Sequence, residues 1–255
     1  GGDGSGLINV STATAFVAAA CGLPVAKHGN RAVSSKCGSA DVLEALGAKI
    51  EIGADRARQL LDATKFCFLF APAYHPGMRH AGLVRRQLHV RTILNLLGPC
   101  INPARPPVQL LGVADPARMQ AIARTLDAMG VEQALVVHGA GLDEIALHGE
   151  TRAVRLDHGR LEEQILVPED VGLHRAPLET AVGGDAEENA ERLRLLLAGA
   201  GTKAEQDIVA LNAGALLMTA GKASNLREGF GQARDALLSG DAGRVLNIYV
   251  EASHG

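Results

Sequence analysis

The sequence predicts an α/β fold, and three observations carry that expectation. Short apolar runs at 66–70, 108–113 and 134–138 have the length of buried strands. Ala- and Leu-rich stretches with capping residues and glycine stops lie between and after them, as helices would. The resulting strand–helix–strand alternation indicates helices packed on a sheet. With 255 residues, 47% of them hydrophobic and 21% charged, the chain can bury the core of one large domain.

Each element has its own local reason. After a glycine-rich opening (1–6), residues 11–22 predict a buried helix, rich in Ala, capped by a hydroxyl residue and stopped by Gly22. Residues 23–31 read as a short strand running into a polar loop. A second helix occupies 38–47, with Ser39 as its cap, Asp41 favouring its N-terminal dipole and Gly47 ending it. The strand at 66–70 is followed by a loop at 71–76 and by helical segments through Leu97. After the strand at 108–113, Asp115 caps a helix with Pro116 in its first turn. Met119, Ile122, Ala123, Leu126 and Met129 share one face of that helix, and Gly130 follows its end. The strand at 134–138 opens into the loop 139–144. Residues 151–173 are β-like, and from Asp185 the chain is helical. Asp185 and Glu188 have capping-box spacing, Leu193, Leu196 and Leu197 form the apolar stripe, and two further helices run to about Leu246.

Composition excludes several classes. The net charge is −3 with both signs interspersed, which argues against general nucleic-acid binding. No apolar run approaches the roughly 18–20 residues needed to cross a bilayer, and no signal peptide is expected ahead of the body of the protein. A soluble cytoplasmic protein is the expectation. Cys21, Cys37, Cys67 and Cys100 form neither a CxxC pair nor a zinc-ligand spacing and read as reduced thiols. The chain opens on Gly1 without an initiator Met, which reads as a fragment lacking its N-terminal part.

Three stretches carry chemistry. Glycines at 1–6 let backbone N–H groups approach an anion, and the following helix end adds donors and partial positive charge. This is not a Walker A loop, since no Gly-Lys-Ser/Thr closes it. Asp3 suits a site where magnesium or a sugar hydroxyl needs an oxygen acceptor. Residues 27–35, Lys-His-Gly-Asn-Arg-Ala-Val-Ser-Ser, place cations, an amide and hydroxyls on one loop, a set matched to phosphate. Asp143 and Glu144 follow an apolar strand, where α/β sheets place ligands, and two hard oxygens suit magnesium. Arg85 and Arg86 are candidates for a second anion. No nucleophile or acid–base group stands out.

These residues resemble the anthranilate phosphoribosyltransferase family. The resemblance rests on GGDGSGLINVST (1–12), KHGNRAVSSKCGSADVLEALG (27–47), HP…VRRQL…RTILNLLGPCINPA (75–104), GLDE (141–144) and DIVALNAGALL (207–217), in the family's order across nearly the whole chain. It implies transfer of phosphoribose from phosphoribosyl pyrophosphate to the amine of anthranilate, in tryptophan biosynthesis, with Mg2+. It implies a donor site of Gly2, Asp3, Asn9, Ser11, Thr12, Lys27, His28, Gly29, Asn30, Arg31, Ala32, Val33, Ser34, Ser35 and Ser39. Asn30, His75 and Arg85 match anthranilate contacts, and Ser11, Asp143 and Glu144 match the magnesium positions. The implied fold is α/β, a mixed central sheet flanked by helices, with residues 1–255 as the catalytic domain. The family's small N-terminal helical domain, through which two subunits pair into a homodimer, is expected to be largely missing, with some of residues 76–100 packing against it.

Two departures from the family pattern stand out. The first two residues of its usual GTGGDG loop are absent, and Leu7 stands where Thr or Lys is common. The fragment alone is therefore expected to be weak or inactive and the full-length protein active. A pyrimidine nucleoside phosphorylase is the nearest alternative, and a non-catalytic anion- or nucleic-acid-binding relative the other. Asn30 and the Asp143–Glu144 pair favour the transferase.

Overall fold

Strand β4 (Gln133–Gly139) is buried on both faces, and the fold is arranged around it. Its Leu135 and Val137 face the larger hydrophobic core, whereas Ala134 and Val136 face a second, smaller one. This alternate division explains why residues 134–137 are all apolar. β4 pairs in parallel with β3 (Val108–Gly112) and antiparallel with β5 (Thr151–Asp157), which pairs antiparallel with β6 (Arg160–Leu166). β1 (Val25–Gly29) and β2 (Phe66–Phe70) form a separate parallel pair. The computed structural model describes residues 6–32, 36–75, 77, 98 and 100–255. The helical segments expected up to Leu97 lie outside them.

Helices cover both faces, as the α/β expectation requires. Helix α5 (Met119–Ala128) seals the smaller core with Met119, Ile122, Ala123 and Leu126. The larger core gathers α1 (Val10–Ala20), α2 (Ser39–Ala45), α3 (Ala54–Thr64), α6 (Ala186–Leu197), α7 (Lys203–Thr219), α8 (Leu226–Leu238) and α9 (Asp241–Ser253). Phe16 of α1, Phe66 of β2 and Tyr249 of α9 meet there, with ring centroids 4.2 Å (Phe16–Phe66), 4.7 Å (Phe66–Tyr249) and 6.0 Å (Phe16–Tyr249) apart. Truncating either phenylalanine to Ala would cost about 3–5 kcal/mol, because a close-packed interior collapses only partly around a cavity.

Several local expectations are corrected. Asn9, rather than a hydroxyl residue, precedes α1, and its side chain makes no cap hydrogen bond. Gly38 holds the cap position of α2, and Ser39 is the first helical residue. Residues 71–74 form a helical turn, α4 (Ala71–Tyr74), instead of a loop. Met129 lies past the end of α5 and is 51% exposed. Three helices, not two, follow α6: Asn225 caps α8 by accepting from the Glu228 N–H, and Gly240, at a φ of 72°, separates α8 from α9. The Asp185–Glu188 capping box forms as the spacing predicts. Helix α3 has no strong sequence signal, since its cap is Gly53 and only Ala57, Leu60 and Thr64 are buried.

Candidate active site

The parallel pairing of β1 and β2 makes the chain leave both strands at the same end of the sheet. Their register sets Lys27 beside Phe68, His28 beside Leu69 and Gly29 beside Phe70. β1 therefore delivers Lys27 and His28 where β2 delivers α4 and His75, and the two imidazoles meet edge-on with centroids 5.1 Å apart. Both Nε2 atoms are buried and have no hydrogen-bond partner among the described residues. Burial, the facing His75 and the nearby Lys27 push His28 down to about 4, against a hydrogen bond with the Gly98 backbone that raises it. Asn102 anchors β1 by donating from Nδ2 to the Ala26 carbonyl at 2.8 Å.

Lys27 links two of the stretches that carry chemistry in the sequence, its own and the Asp143–Glu144 turn, to the start of α1. Its Nζ donates to Ser11 Oγ in the first turn of α1 at 3.0 Å. Burial pushes the ammonium down to about 8, against the opposing pull of Glu144 and Asp143. One hydroxyl, one cation and two carboxylates from distant segments thus share one site.

The acidic pair sits on a tightly built turn. Gly139 and Leu142 exchange two backbone hydrogen bonds of 3.0 Å, with Ala140 at a φ of 49° and Gly141 at 100°. His138 accepts from the Gly141 N–H at Nε2, 3.3 Å, so its Nδ1 carries the proton donated to the Val113 carbonyl at 2.9 Å. A Cβ on Gly112 would overlap the Asp143 carbonyl, and one on Gly139 would overlap that of Glu144. Only glycine allows this approach. Asp143 is buried at 8% exposure and Glu144 is half-buried.

The residues after β1 are braced against α2. Asp41 Oδ2 accepts from both the Ala32 and the Gly38 N–H at 2.8 Å, tying 32 to 38. The Asn30 carbonyl accepts from the Ala40 N–H at 3.2 Å and from Ser39 Oγ at 3.5 Å. Asn30 Oδ1 accepts from the Arg31 N–H. Arg31 forks onto Glu44 at 3.0 and 2.7 Å, lies 3.6 Å from Glu51, and stacks 4.6 Å over the Phe70 ring.

The expected site residues therefore fall into groups. Ser11, Lys27, Asp143 and Glu144 converge, and His28 meets His75. Gly29, Asn30, Arg31, Ala32 and Ser39 form the braced segment. The Asn9 carboxamide bonds to Cys37 and Asn189, and Thr12 is fully buried in α1. Gly2, Asp3, Val33, Ser34, Ser35 and Arg85 lie outside the described residues. Sequence reasoning missed Glu44, Asn189 and Asn212 as supports and gave Asp41 only a dipole role. Asn212 carried a signal, an amide inside the apolar stretch 207–217. Burial raises each of the four thiols, Cys67 up to about 12.

Among the described residues, no three His, Cys, Asp or Glu side chains cluster as a metal site. A hydroxyl and two carboxylates grouped around Lys27 still fit Mg2+, which takes one or two carboxylates and completes its shell with water and substrate phosphate oxygens.

Known proteins resemble this chain along nearly its whole length. Residues 1–243 match the model of the glycosyl transferase family, a/b domain. The anthranilate phosphoribosyltransferase of Sorangium cellulosum (strain So ce56) is 57% identical over 253 residues, 99% of this chain and 73% of that protein. The chain belongs to the anthranilate phosphoribosyltransferase family. It is by that membership a pentosyltransferase enzyme. The crystal structure of the Thermus thermophilus anthranilate phosphoribosyltransferase superposes with a TM-score of 0.95 at 49% identity, covering 100% of this chain and 76% of that one. The Saccharomyces cerevisiae enzyme, in complex with PRPP and Mg, gives 0.89 at 28% identity, with 100% and 72% covered. Among the described residues, no helix is long and apolar enough to cross a membrane.

Proposed function

We propose that this chain transfers the phosphoribosyl group of phosphoribosyl pyrophosphate to the amine of anthranilate, giving N-(5-phosphoribosyl)anthranilate and pyrophosphate in tryptophan biosynthesis. The observation that carries the site assignment is the convergence of Ser11, Lys27 and the Asp143–Glu144 turn. Ser11, Asp143 and Glu144 would hold Mg2+ together with the donor's pyrophosphate.

Breaking the bond from the sugar carbon to pyrophosphate leaves an electron-poor sugar and a highly charged leaving group. Mg2+, when bound, supplies Lewis-acid neutralisation of that departing charge. Lys27 adds a fixed cation to that neutralisation. An aromatic amine is largely unprotonated near neutral pH, so the acceptor needs orientation more than a strong base. The half-buried His28–His75 pair beside Asn30 suits that orienting role, since each ring keeps a buried nitrogen without a partner among the described residues. The donor set is Gly2, Asp3, Asn9, Ser11, Thr12, residues 27–35 and Ser39, and the acceptor set is Asn30, His75 and Arg85. The family resemblance supports a cytoplasmic homodimer acting on small molecules, and the mixed surface charge argues against nucleic acid.

The test follows anthranilate fluorescence with the full-length protein, with and without phosphoribosyl pyrophosphate and Mg2+. Loss of emission should require both. Asp143→Ala with Glu144→Ala should suppress turnover, and an unaffected rate would remove the pair from the metal role.

A further inference from the structure

The Asp143–Glu144 turn is gripped from the opposite side of the core by an amide. Asn212, in the middle of α7, is fully buried. Its Oδ1 accepts from the Ile145 N–H at 2.9 Å, and its Nδ2 donates to the Ile145 carbonyl at 3.0 Å and to the Ile208 carbonyl at 2.9 Å. The side chain thus pairs with Ile145 as a neighbouring strand would, across 67 positions of sequence. Three of its four hydrogen-bonding sites are used.

We propose that Asn212 is the positioning residue for the Asp143–Glu144 pair, holding the turn in its metal-binding form before any ligand arrives. The inference rests on the function proposed above. The Ile145 N–H belongs to the same rigid peptide plane as the Glu144 carbonyl and Cα. Fixing that N–H fixes the peptide plane against which ψ of Glu144 turns, and so restricts the direction in which the carboxylate leaves the chain. Thr151 Oγ1 holds the next N–H, that of Ala146, at 3.0 Å, while Gly112 and Gly139 leave the turn no room to back away. An apolar residue would fill this core position as well. What an amide adds is the grip on Ile145.

Supports of this kind change metal affinity by about 10–100-fold when removed. Asn212→Leu, close in size but unable to bond, should raise the Mg2+ concentration for half-maximal turnover at least about ten-fold, with KM for anthranilate little changed. Mn2+ binding to protein plus phosphoribosyl pyrophosphate, read by electron paramagnetic resonance, should weaken by a similar factor. Leu126→Ala in the smaller core is the control: it lowers the melting temperature without moving either value. Unchanged Mn2+ affinity in Asn212→Leu overturns the proposal. If that variant does not fold, hydrogen exchange of the wild-type protein decides. The Ile145 amide should be protected without ligand, and protection appearing only with metal and donor overturns preorganisation by Asn212. Absence of anthranilate turnover in the full-length wild-type protein would instead sink the functional reading, leaving the Mn2+ and exchange measurements to judge Asn212.

Discussion

The carboxamides of Asn9 and Asn189, 180 positions apart in the chain, share a 3.1 Å hydrogen bond. Asn189 also accepts from the Gly184 N–H at 2.9 Å, and Asn9 bonds Cys37 through both ends of its amide. Three segments are joined at this point: the start of α1, the stretch after β1, and the entrance to α6. Asn189→Leu should therefore act on the donor site through Asn9. A buried N–H left without its acceptor costs about 1–3 kcal/mol of stability. KM for phosphoribosyl pyrophosphate should rise about five- to ten-fold, a loss near 1–1.4 kcal/mol, with KM for anthranilate less affected. Steady-state kinetics and a thermal melt check this, and equal shifts in both KM values would contradict it.

Gly38 is confined by backbone rather than by conformation. Its φ of −92° suits any residue, but a Cβ there would stand 2.5 Å from the Ala32 nitrogen and 2.8 Å from the Asn30 oxygen. Gly38→Ala should push residues 30–32 away from α2, destabilise the protein by about 1–3 kcal/mol and weaken donor binding. Gly231, in α8, has nothing within 4 Å of its would-be Cβ. Gly231→Ala should stabilise by about 0.5–1 kcal/mol, because a helical glycine loses more entropy on folding. Denaturant melts of the two variants should move in opposite directions.

The contrast between these glycines and asparagines shows what the sequence could disclose. Strands β2 and β4 were legible because burial on both faces leaves an unbroken apolar run. Asp143 and Glu144 were legible because they stand where such a strand ends, the edge at which α/β sheets place their ligands. The supports of the site were not, since Asn189 holds Asn9 and Asn212 holds Ile145, partners 180 and 67 positions away. Capping was misread for a related reason. Ser39 has the chemistry of a cap, but Gly38 occupies the cap position and packs where no side chain fits. Local rules rank what a residue can do; tertiary contacts decide which option is used.

Arg31 belongs to the expected donor contacts, yet its guanidinium is forked onto Glu44 and stacked on Phe70. An exposed pair of this kind contributes little to global stability, typically under about 1 kcal/mol. Its effect should be on the placement of the segment it belongs to. Arg31→Gln and Glu44→Gln should each raise KM for phosphoribosyl pyrophosphate, and the double variant should be no worse than the worse single one, since both remove one interaction. A direct phosphate contact predicts otherwise: Glu44→Gln would leave donor affinity unchanged or improve it.

The His28–His75 contact makes stability depend on mild acid. Burial, His75 and Lys27 hold His28 at about 4 in the folded protein, with Gly98 opposing, whereas an unfolded histidine titrates near 6.5. Between those values the unfolded chain binds a proton that the folded site refuses. Stability therefore rises with pH across this window. The contribution is fully present above about 6.5, declines as pH falls, and levels off below about 4, where the folded state protonates as well. His28→Gln removes the group and should flatten this part of the profile. Its melting temperature will also reflect lost packing, so the slopes from pH 7.5 to 4.5 are the quantity to compare. The wild-type protein should lose stability more steeply than His28→Gln; parallel slopes would mean that the buried imidazole accepts its proton as readily as an exposed one.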